Sequence, residues 1–290
     1  MRILITGSAG MLGQDVTSAA RDAGHDVTSL ARSDLDITDP GAVRSAVSRA
    51  RADLVINCAA WTDVDGAEGA FDAADAVNGP GAGHVADAAA RAGAWTIHVS
   101  SDYVFDGTKR EPYLESDPVG PVSAYGRSKL HGEVAVAQAA PSRHTIVRSS
   151  WLFGAGGPCF PATILSLAGE RDELTVVDDQ VGCPTFTGHL ARALVELASG
   201  SGDPTAGIVH VAGAGQCSWY EFAREIVARS GEDCEVKPGR SIDLARPAPR
   251  PAYSVLRTER GSQAPTLPHW SDGLTEFWAA RTGAMGVPGA

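Results

Sequence analysis

The first 150 residues alternate short, nearly unbroken apolar runs with longer stretches of helical periodicity, and no other feature narrows the possible folds as much. Ile3–Thr6, Val27–Leu30, Leu54–Cys58, Thr96–Ser100 and Thr145–Arg148 read as buried strands. Between them, Met11–Ala23 reads as a helix closed by Gly24, and a second helix follows the Asp39–Pro40 pair, an N-cap with proline at the first helical position. Ala82–Ala92 is an alanine-rich helix ending near Gly93, and Ser123–Ala139 is a longer one. Strands joined by helices of this length make right-handed crossovers, so the pattern predicts an α/β fold with a doubly wound parallel sheet covered on both faces. From Trp151 the rhythm loosens. Strands at 174–177 and 208–211, and helices at 188–198, 219–230 and near 273–280, form a smaller C-terminal α/β region; residues 283–290 read as a frayed end.

Three glycines, Gly7, Gly10 and Gly13, stand at Gly-x-x-Gly-x-x-Gly spacing between the first strand and the first helix. With 33 glycines in 290 residues the bare spacing arises by chance roughly 0.4 times per chain, so its place carries the argument. In a Rossmann-like sheet the first strand-to-helix turn is where backbone approaches a pyrophosphate, with the helix N-terminus supplying positive potential. The pattern therefore predicts dinucleotide binding by residues 1–150, with some later segments returning to that region, and a mainly substrate-binding region over 151–290. The second strand ends Leu30-Ala31-Arg32-Ser33. An acidic residue there would accept from the ribose 2′-hydroxyl of NAD, and none is present; Arg32 suits a 2′-phosphate, so NADP(H) is favoured, with NAD(H) the alternative.

Composition excludes several classes. Apolar residues make up 43% of the chain, too many for disorder, and no apolar stretch approaches the length of a membrane span. The net charge is −11, a field that repels nucleic acid and anionic membranes, so neither is an expected partner. The same field repels an anionic metabolite, which local arginines or helix N-termini must then capture. Five cysteines without Cys-x-x-Cys spacing predict free thiols, and eight histidines without a His-Glu-x-x-His pair predict no protein-built metal site. The opening MRILITGSAG begins a strand at once, which predicts no secretory signal and a cytoplasmic protein.

Tyr125-Gly126-Arg127-Ser128-Lys129 opens the long fourth helix. Residues i and i+4 share a helix face, so the phenol and the ammonium project together, and a nearby cation lowers a phenol's pKa. With five tyrosines and only three lysines (Lys109, Lys129 and Lys237), chance predicts roughly 0.05 such pairs. Ser100, Ser101, Asp102 and Tyr103 follow the TIHVS strand (96–100). A hydroxyl at the carboxyl end of a central parallel strand points into the cleft where this fold binds ligands. Ser101, Tyr125 and Lys129 beside a nicotinamide make a complete set for carbonyl reduction. Strand-end serines also serve as caps, and exposed Tyr/Lys pairs occur on helix surfaces.

These stretches resemble the extended short-chain dehydrogenase/reductase superfamily, and within it the dTDP-4-dehydrorhamnose reductase family. The likeness runs through ILITGSAGMLG (3–13), LDITDP (35–40), VINCAAWTDVDGAE (55–68), VSSDYVFDG (99–107), YGRSKLHGE (125–133), RSSWLFG (148–154), VVDDQVGCPT (176–185), VHVAGAGQCSWYEFARE (209–225) and RPAPRPAYSVLRT (246–258). The resemblance implies NADPH-dependent reduction of the C4 ketone of a dTDP-linked 6-deoxy-4-keto sugar. It implies that Tyr125 donates the proton, that Lys129 binds the nicotinamide ribose and tunes Tyr125, and that Ser101 orients the carbonyl. Gly7, Gly10, Met11, Leu12, Gly13, Arg32, Asp36, Ile37, Ala59, Ala60, Trp61 and Thr62 match cofactor-lining positions. Asp102 would contact the sugar, Trp151 would stack near sugar and nicotinamide, and Arg250, with Arg246, is the candidate for the substrate diphosphate.

The chain departs from the family at several places. Ser101 stands where threonine is usual, Trp61 where tyrosine or histidine is, Ala31 where an acid is frequent and Cys58 where alanine is common. Some members dimerise around Mg²⁺ held by glutamates. Only Asp15 matches such a position and Gly188 replaces another, which argues against that metal-linked dimer and leaves monomer or homodimer open. Trp219 and Tyr220, at a helix start, read as packing residues. Two rival functions stand beside the main reading: another nucleotide-sugar 4-ketoreductase of a specialised deoxysugar pathway, and a non-catalytic NADP-binding regulatory subunit. The intact Ser101, Tyr125 and Lys129 weigh against the second.

Overall fold

A computed structural model describes residues 1–199 and 206–284. The chain runs β1 (Arg2–Thr6), α1 (Met11–Asp22), β2 (Asp26–Leu30), α2 (Pro40–Ala50), β3 (Leu54–Asn57), α3 (Gly66–Gly69), α4 (Phe71–Ala76), a π-helical turn at Val77–Gly81, α5 (Ala82–Arg91), β4 (Trp95–Ser101), α6 (Ala124–Ala139) and β5 (His144–Ser149). It continues with β6 (Leu152–Phe153), α7 (Phe160–Ala168), β7 (Glu173–Val177), β8 (Val181–Gly182), β9 (Thr185–Phe186), α8 (Thr187–Ser199), β10 (Gly207–His210), β11 (Cys217–Ser218), α9 (Trp219–Ser230), β12 (Glu235–Gly239) and α10 (Trp270–Ala284). The strands and helices expected from the pattern are present, with ends shifted by a few residues. Residues 285–290, most of the stretch read as frayed, lie outside the described residues.

Six parallel strands form the main sheet in the order β10-β5-β4-β3-β1-β2. β3, β4 and β5 are buried almost throughout, which is why their sequences read as continuous apolar runs rather than alternating ones. Helices α1 and α8 pack together over one face, where Val16, Ala20, Leu190 and Leu194 meet β-strand residues Ile5, Ile56 and Ile97. On the other face α2 and α5 bury Val43, Val47, Val85 and Ala89 against Leu4 and Val55. Strand order reverses between β1 and β3, so a crevice opens at their carboxyl ends.

The helix ends follow from their caps. Asp39 accepts the Gly41 and Ala42 amides ahead of Pro40, and Ser123 accepts the Gly126 amide at the head of α6. At α9, Ser218 and Glu221 form a capping box.

The edge strand β10 is covered. Glu115 accepts the His210 amide at 2.8 Å, and Arg260 Nε donates to the Ile208 carbonyl at 3.0 Å. A second core, built on Phe153, Phe186, Phe222, Ile226, Leu274 and Phe277, joins α7, α9 and α10 to the small β7/β12 and β6/β9 pairs.

Two features escaped the sequence pattern. β12 reads EVKPG, without the apolar run of a buried strand, and among the described residues pairs with β7 alone. The Val77–Gly81 turn carries Pro80 inside a helix; proline's missing N–H breaks the regular ladder there and the turn widens to a π-helix.

Candidate active site

The glycine turn sits at the head of the crevice. Gly7 has φ +68°, and a Cβ there would lie 2.6 Å from the Ala59 amide nitrogen. A Cβ on Gly13 would lie 2.2 Å from the Gly7 carbonyl oxygen. Only glycine fits at either place. Gly10 is the N-cap of α1 and offers no capping side chain, so the first-turn amides and the positive end of the helix are left to an outside acceptor. Met11 opens that first turn, and Leu12 is buried in the core beneath it. This cradle fits a dinucleotide's diphosphate.

At the end of β2, Arg32 is exposed and its charge helps hold the Asp36 carboxyl below the usual range, though hydrogen bonds from Thr38 contribute more. Asp36 accepts both the amide and the hydroxyl of Thr38, so its carboxylate is tied into its own loop. Ile37 is buried against Gly81.

Asn57, at the end of β3, accepts from Thr6 Oγ1 at 2.6 Å and from the Ala59 amide at 3.1 Å, tying β1 to the segment Ala59–Ala60–Trp61–Thr62. Asn78, in the π-turn, was not singled out from sequence. It is 1% exposed. Its Oδ1 accepts the Trp61 amide at 2.9 Å, and its Nδ2 donates to the Trp61 carbonyl at 3.1 Å and to Ser128 Oγ at 2.9 Å. It thus clamps the segment 59–62 to the helix that carries Lys129. An asparagine beside Gly-Pro-Gly looks like an ordinary turn residue, so only the fold reveals it.

Ser101, Tyr125 and Lys129 converge where β4 meets α6. The Ser101 hydroxyl donates to Asp102 Oδ1 at 2.9 Å and accepts the Tyr103 amide at 3.2 Å. It also reaches the Tyr125 phenol and eases its ionisation, but burial dominates and pushes Tyr125 up to about 12. The expectation that Lys129 lowers this phenol is therefore corrected. Lys129 Nζ donates to the Val99 carbonyl at 2.7 Å, and no Lys129 contribution offsets the phenol's desolvation. Burial brings Lys129 itself down to about 8, opposed by Glu133. Asp102 is 1% exposed, and burial raises its carboxyl to about 6. Its Oδ2 accepts no well-formed hydrogen bond, with the Ser254 hydroxyl beside it. Tyr103 stands edge-on to Tyr125 at 5.5 Å.

The far wall is aromatic. Trp151 has φ +48°, a left-handed backbone conformation rare for so large a residue, and its indole stacks on Trp219 at 3.5 Å and 4°. Gly182 also lies close against the indole, which a Cβ there would approach to within 2.4 Å. The packing role read for Trp219 thus has a specific partner, Trp151.

Arg250 does not stand free. Its guanidinium makes a two-pronged pair with Asp65, at 3.0 and 2.7 Å, and donates to the Ala248 carbonyl. Arg246 is exposed nearby, and both arginines oppose the rise that burial imposes on Tyr103. Among the described residues there is no group of three or more His, Cys, Asp or Glu that could hold a metal ion, and no helix long and apolar enough to cross a membrane.

Residues 1–282 match the family described as RmlD substrate binding domain. A dTDP-4-dehydrorhamnose reductase of Streptomyces griseus is 45% identical over 99% of this chain and 96% of its own. A dTDP-4-keto-6-deoxy-D-glucose reductase of Streptomyces niveus is 41% identical over 95% of this chain and 96% of its own. The solved dTDP-4-dehydrorhamnose reductase of Bacillus anthracis, in complex with NADP, superposes with a TM-score of 0.92 at 35% identity, covering 96% of this chain and 99% of that one.

Proposed function

The chain belongs to the RmlD substrate binding domain family, and from that membership we propose that it is an NADPH-dependent reductase of the C4 ketone of a dTDP-4-keto-6-deoxy sugar, converting dTDP-4-dehydrorhamnose to dTDP-rhamnose. The observation that carries the reading is the convergence of Ser101, Tyr125 and Lys129 at the carboxyl end of β4, on the side of the crevice opened by the glycine turn. The two regions divide the work: residues 1–150, with β10 and α8, form the dinucleotide side, and most of 151–290 the sugar side. The protein acts in the cytoplasm on a nucleotide-sugar.

Gly7, Gly10 and Gly13 admit the cofactor diphosphate at the head of α1. Arg32 takes the 2′-phosphate, with Asp36 and Ile37 along the adenine. Ala59, Ala60, Trp61 and Thr62 line the cofactor's inner side, kept in place by Asn78. NADPH, when bound, supplies the hydride. The chain's task is then to hold the ketone and deliver one proton. Ser101 orients the carbonyl oxygen, and its hydroxyl and the Tyr125 phenol stabilise the negative charge that develops there. A phenol whose pKa is pushed to about 12 keeps its proton at neutral pH, which is the state a reducing enzyme needs in its general acid. Lys129, at about 8, is mostly cationic at neutral pH and anchors the nicotinamide ribose. Asp102 faces the sugar, the Trp151–Trp219 stack forms the wall of its pocket, and Arg246 with the Asp65-held Arg250 meets the substrate diphosphate.

The test is NADPH oxidation with dTDP-4-dehydrorhamnose, followed by NMR of the sugar product. Turnover giving the rhamno configuration supports the reading; no oxidation with any dTDP-4-keto sugar refutes it. The similarity to the Streptomyces niveus reductase favours a second reading, the same chemistry with a different sugar, which that product spectrum separates from the first.

A further inference from the structure

A buried ion pair lies directly beneath the candidate site, and the reductase reading leaves it unused. Arg148 on β5 and Glu133 on α6 have side chains 2% and 4% exposed. Arg148 Nε donates to Glu133 Oε1 at 2.8 Å and Nη2 donates to Oε2 at 2.6 Å. Ser100 Oγ donates to the same Oε1 at 2.6 Å, and the guanidinium lies over the Phe105 ring at 5.0 Å. A pair so deeply buried gains little over well-packed apolar residues of equal volume, so stability alone does not account for it.

Its location does. Tyr125, Lys129 and Glu133 follow one another at four-residue intervals along one face of α6. Ser100 immediately precedes Ser101, and Lys129 Nζ holds the Val99 carbonyl. Two adjacent contacts therefore join α6 to the last residues of β4, and every group of the candidate catalytic set hangs from one of those two elements. The groups facing Lys129 are Tyr125 and Glu133 on α6, Cys58 after β3, and His98 and the Val99 carbonyl on β4, with Arg148 behind Glu133. Burial pushes the Cys58 thiol and the Tyr125 phenol up to about 12 and the His98 imidazole well below its ordinary value, so all three are neutral at neutral pH. Glu133, whose carboxylate is paired with Arg148, is the charged partner that remains.

We propose that Glu133 is a positioning residue: clamped by Arg148 and Ser100, it fixes α6 against the end of β4 and presents its carboxylate charge to the buried Lys129 ammonium. Its consequence for turnover rests on the reductase reading; its effect on Lys129 does not.

The chain's three lysines make a direct measurement possible, because Lys109 and Lys237 are paired at the surface with Asp117 and Glu173. In full-length protein labelled at lysine Cε, the carbon signal absent from Lys129→Met reports the Lys129 titration. Glu133→Gln moves that midpoint down by about one pH unit, and the alkaline limb of kcat/KM follows it. Since Glu133→Gln strands the Arg148 charge, the double variant Glu133→Gln/Arg148→Met, which removes both charges, guards against misfolding. Its midpoint also falls, because Glu133, and not Arg148, is the charge that acts on Lys129. A folded double variant whose Lys129 titrates as in the parent protein overturns the proposal. No turnover by the parent protein with any dTDP-4-keto sugar would instead overturn the reductase reading, while the Lys129 titration still decides the role of Glu133.

Discussion

Asp102 gives the sharpest test of how the site holds charge. Its carboxyl is buried and raised from 3.8 to about 6 by desolvation, which the nearby Ser254 hydroxyl and the Ser101 hydrogen bond only partly offset. The folded protein therefore holds this proton more tightly than the unfolded chain. Below pH ~4 the residue is protonated in both states and costs nothing; as pH rises from ~4 through ~6 stability is lost, and at neutral pH the loss is about 3 kcal/mol. Asp102→Asn removes the titration. The amide oxygen still accepts from Ser101, and the amide nitrogen faces the Ser254 hydroxyl. The variant is expected to be more stable than the parent at pH 8 by about 1–2 kcal/mol, allowing for imperfect hydrogen bonding, and to approach the parent at pH 4.5. In thermal unfolding this is a rise of about 2–5 °C at pH 8 that shrinks on acidification. Turnover falls if, as proposed, this carboxylate faces the sugar, because the group that holds Ser101 has lost its charge, a trade of stability against activity. A stability difference that is independent of pH, or a variant less stable than the parent at pH 8, refutes the reasoning.

Further outcomes follow from the same geometry. Tyr125→Phe lowers kcat by about 10²–10⁴-fold while fluorescence titration shows NADPH binding retained; full activity would contradict the assignment of the acid. Gly7→Ala forces a Cβ to within 2.6 Å of the Ala59 amide at φ +68°, which costs about 2–5 kcal/mol in chemical unfolding and abolishes measurable NADPH affinity. Arg32→Ser narrows the ratio of kcat/KM for NADPH over NADH, and an unchanged ratio would remove Arg32 from the 2′-phosphate site. Trp219→Ala takes away the surface on which Trp151 stacks and raises KM for the sugar more than for NADPH.

Much of this was legible in the sequence because it is local. The LVIN and TIHVS runs are buried on both faces, so their apolar continuity survives in the chain, and the Tyr125–Lys129 interval maps onto one helix face without tertiary help. The glycines were readable because backbone contact at Gly7 and Gly13 tolerates no side chain. What escaped depends on distant partners. Arg250 reads from sequence as a candidate for the substrate diphosphate, yet Asp65, 185 residues away, already holds it. Asn78 matters only because the fold brings Trp61 and Ser128 to it, 17 and 50 residues away along the chain. The ionisation of Tyr125 was misjudged for a related reason: spacing gives proximity to Lys129, but burial, which spacing does not reveal, dominates and raises the phenol.

The covering of β10 has a consequence for self-association. With the outward amide of His210 and the carbonyl of Ile208 already engaged by Glu115 and Arg260, a strand from a neighbouring molecule loses two of the backbone groups it would need to zip onto that margin. Those two contacts turn what would be an open parallel edge into one guarded by side chains, which works against cross-strand stacking of one copy on another.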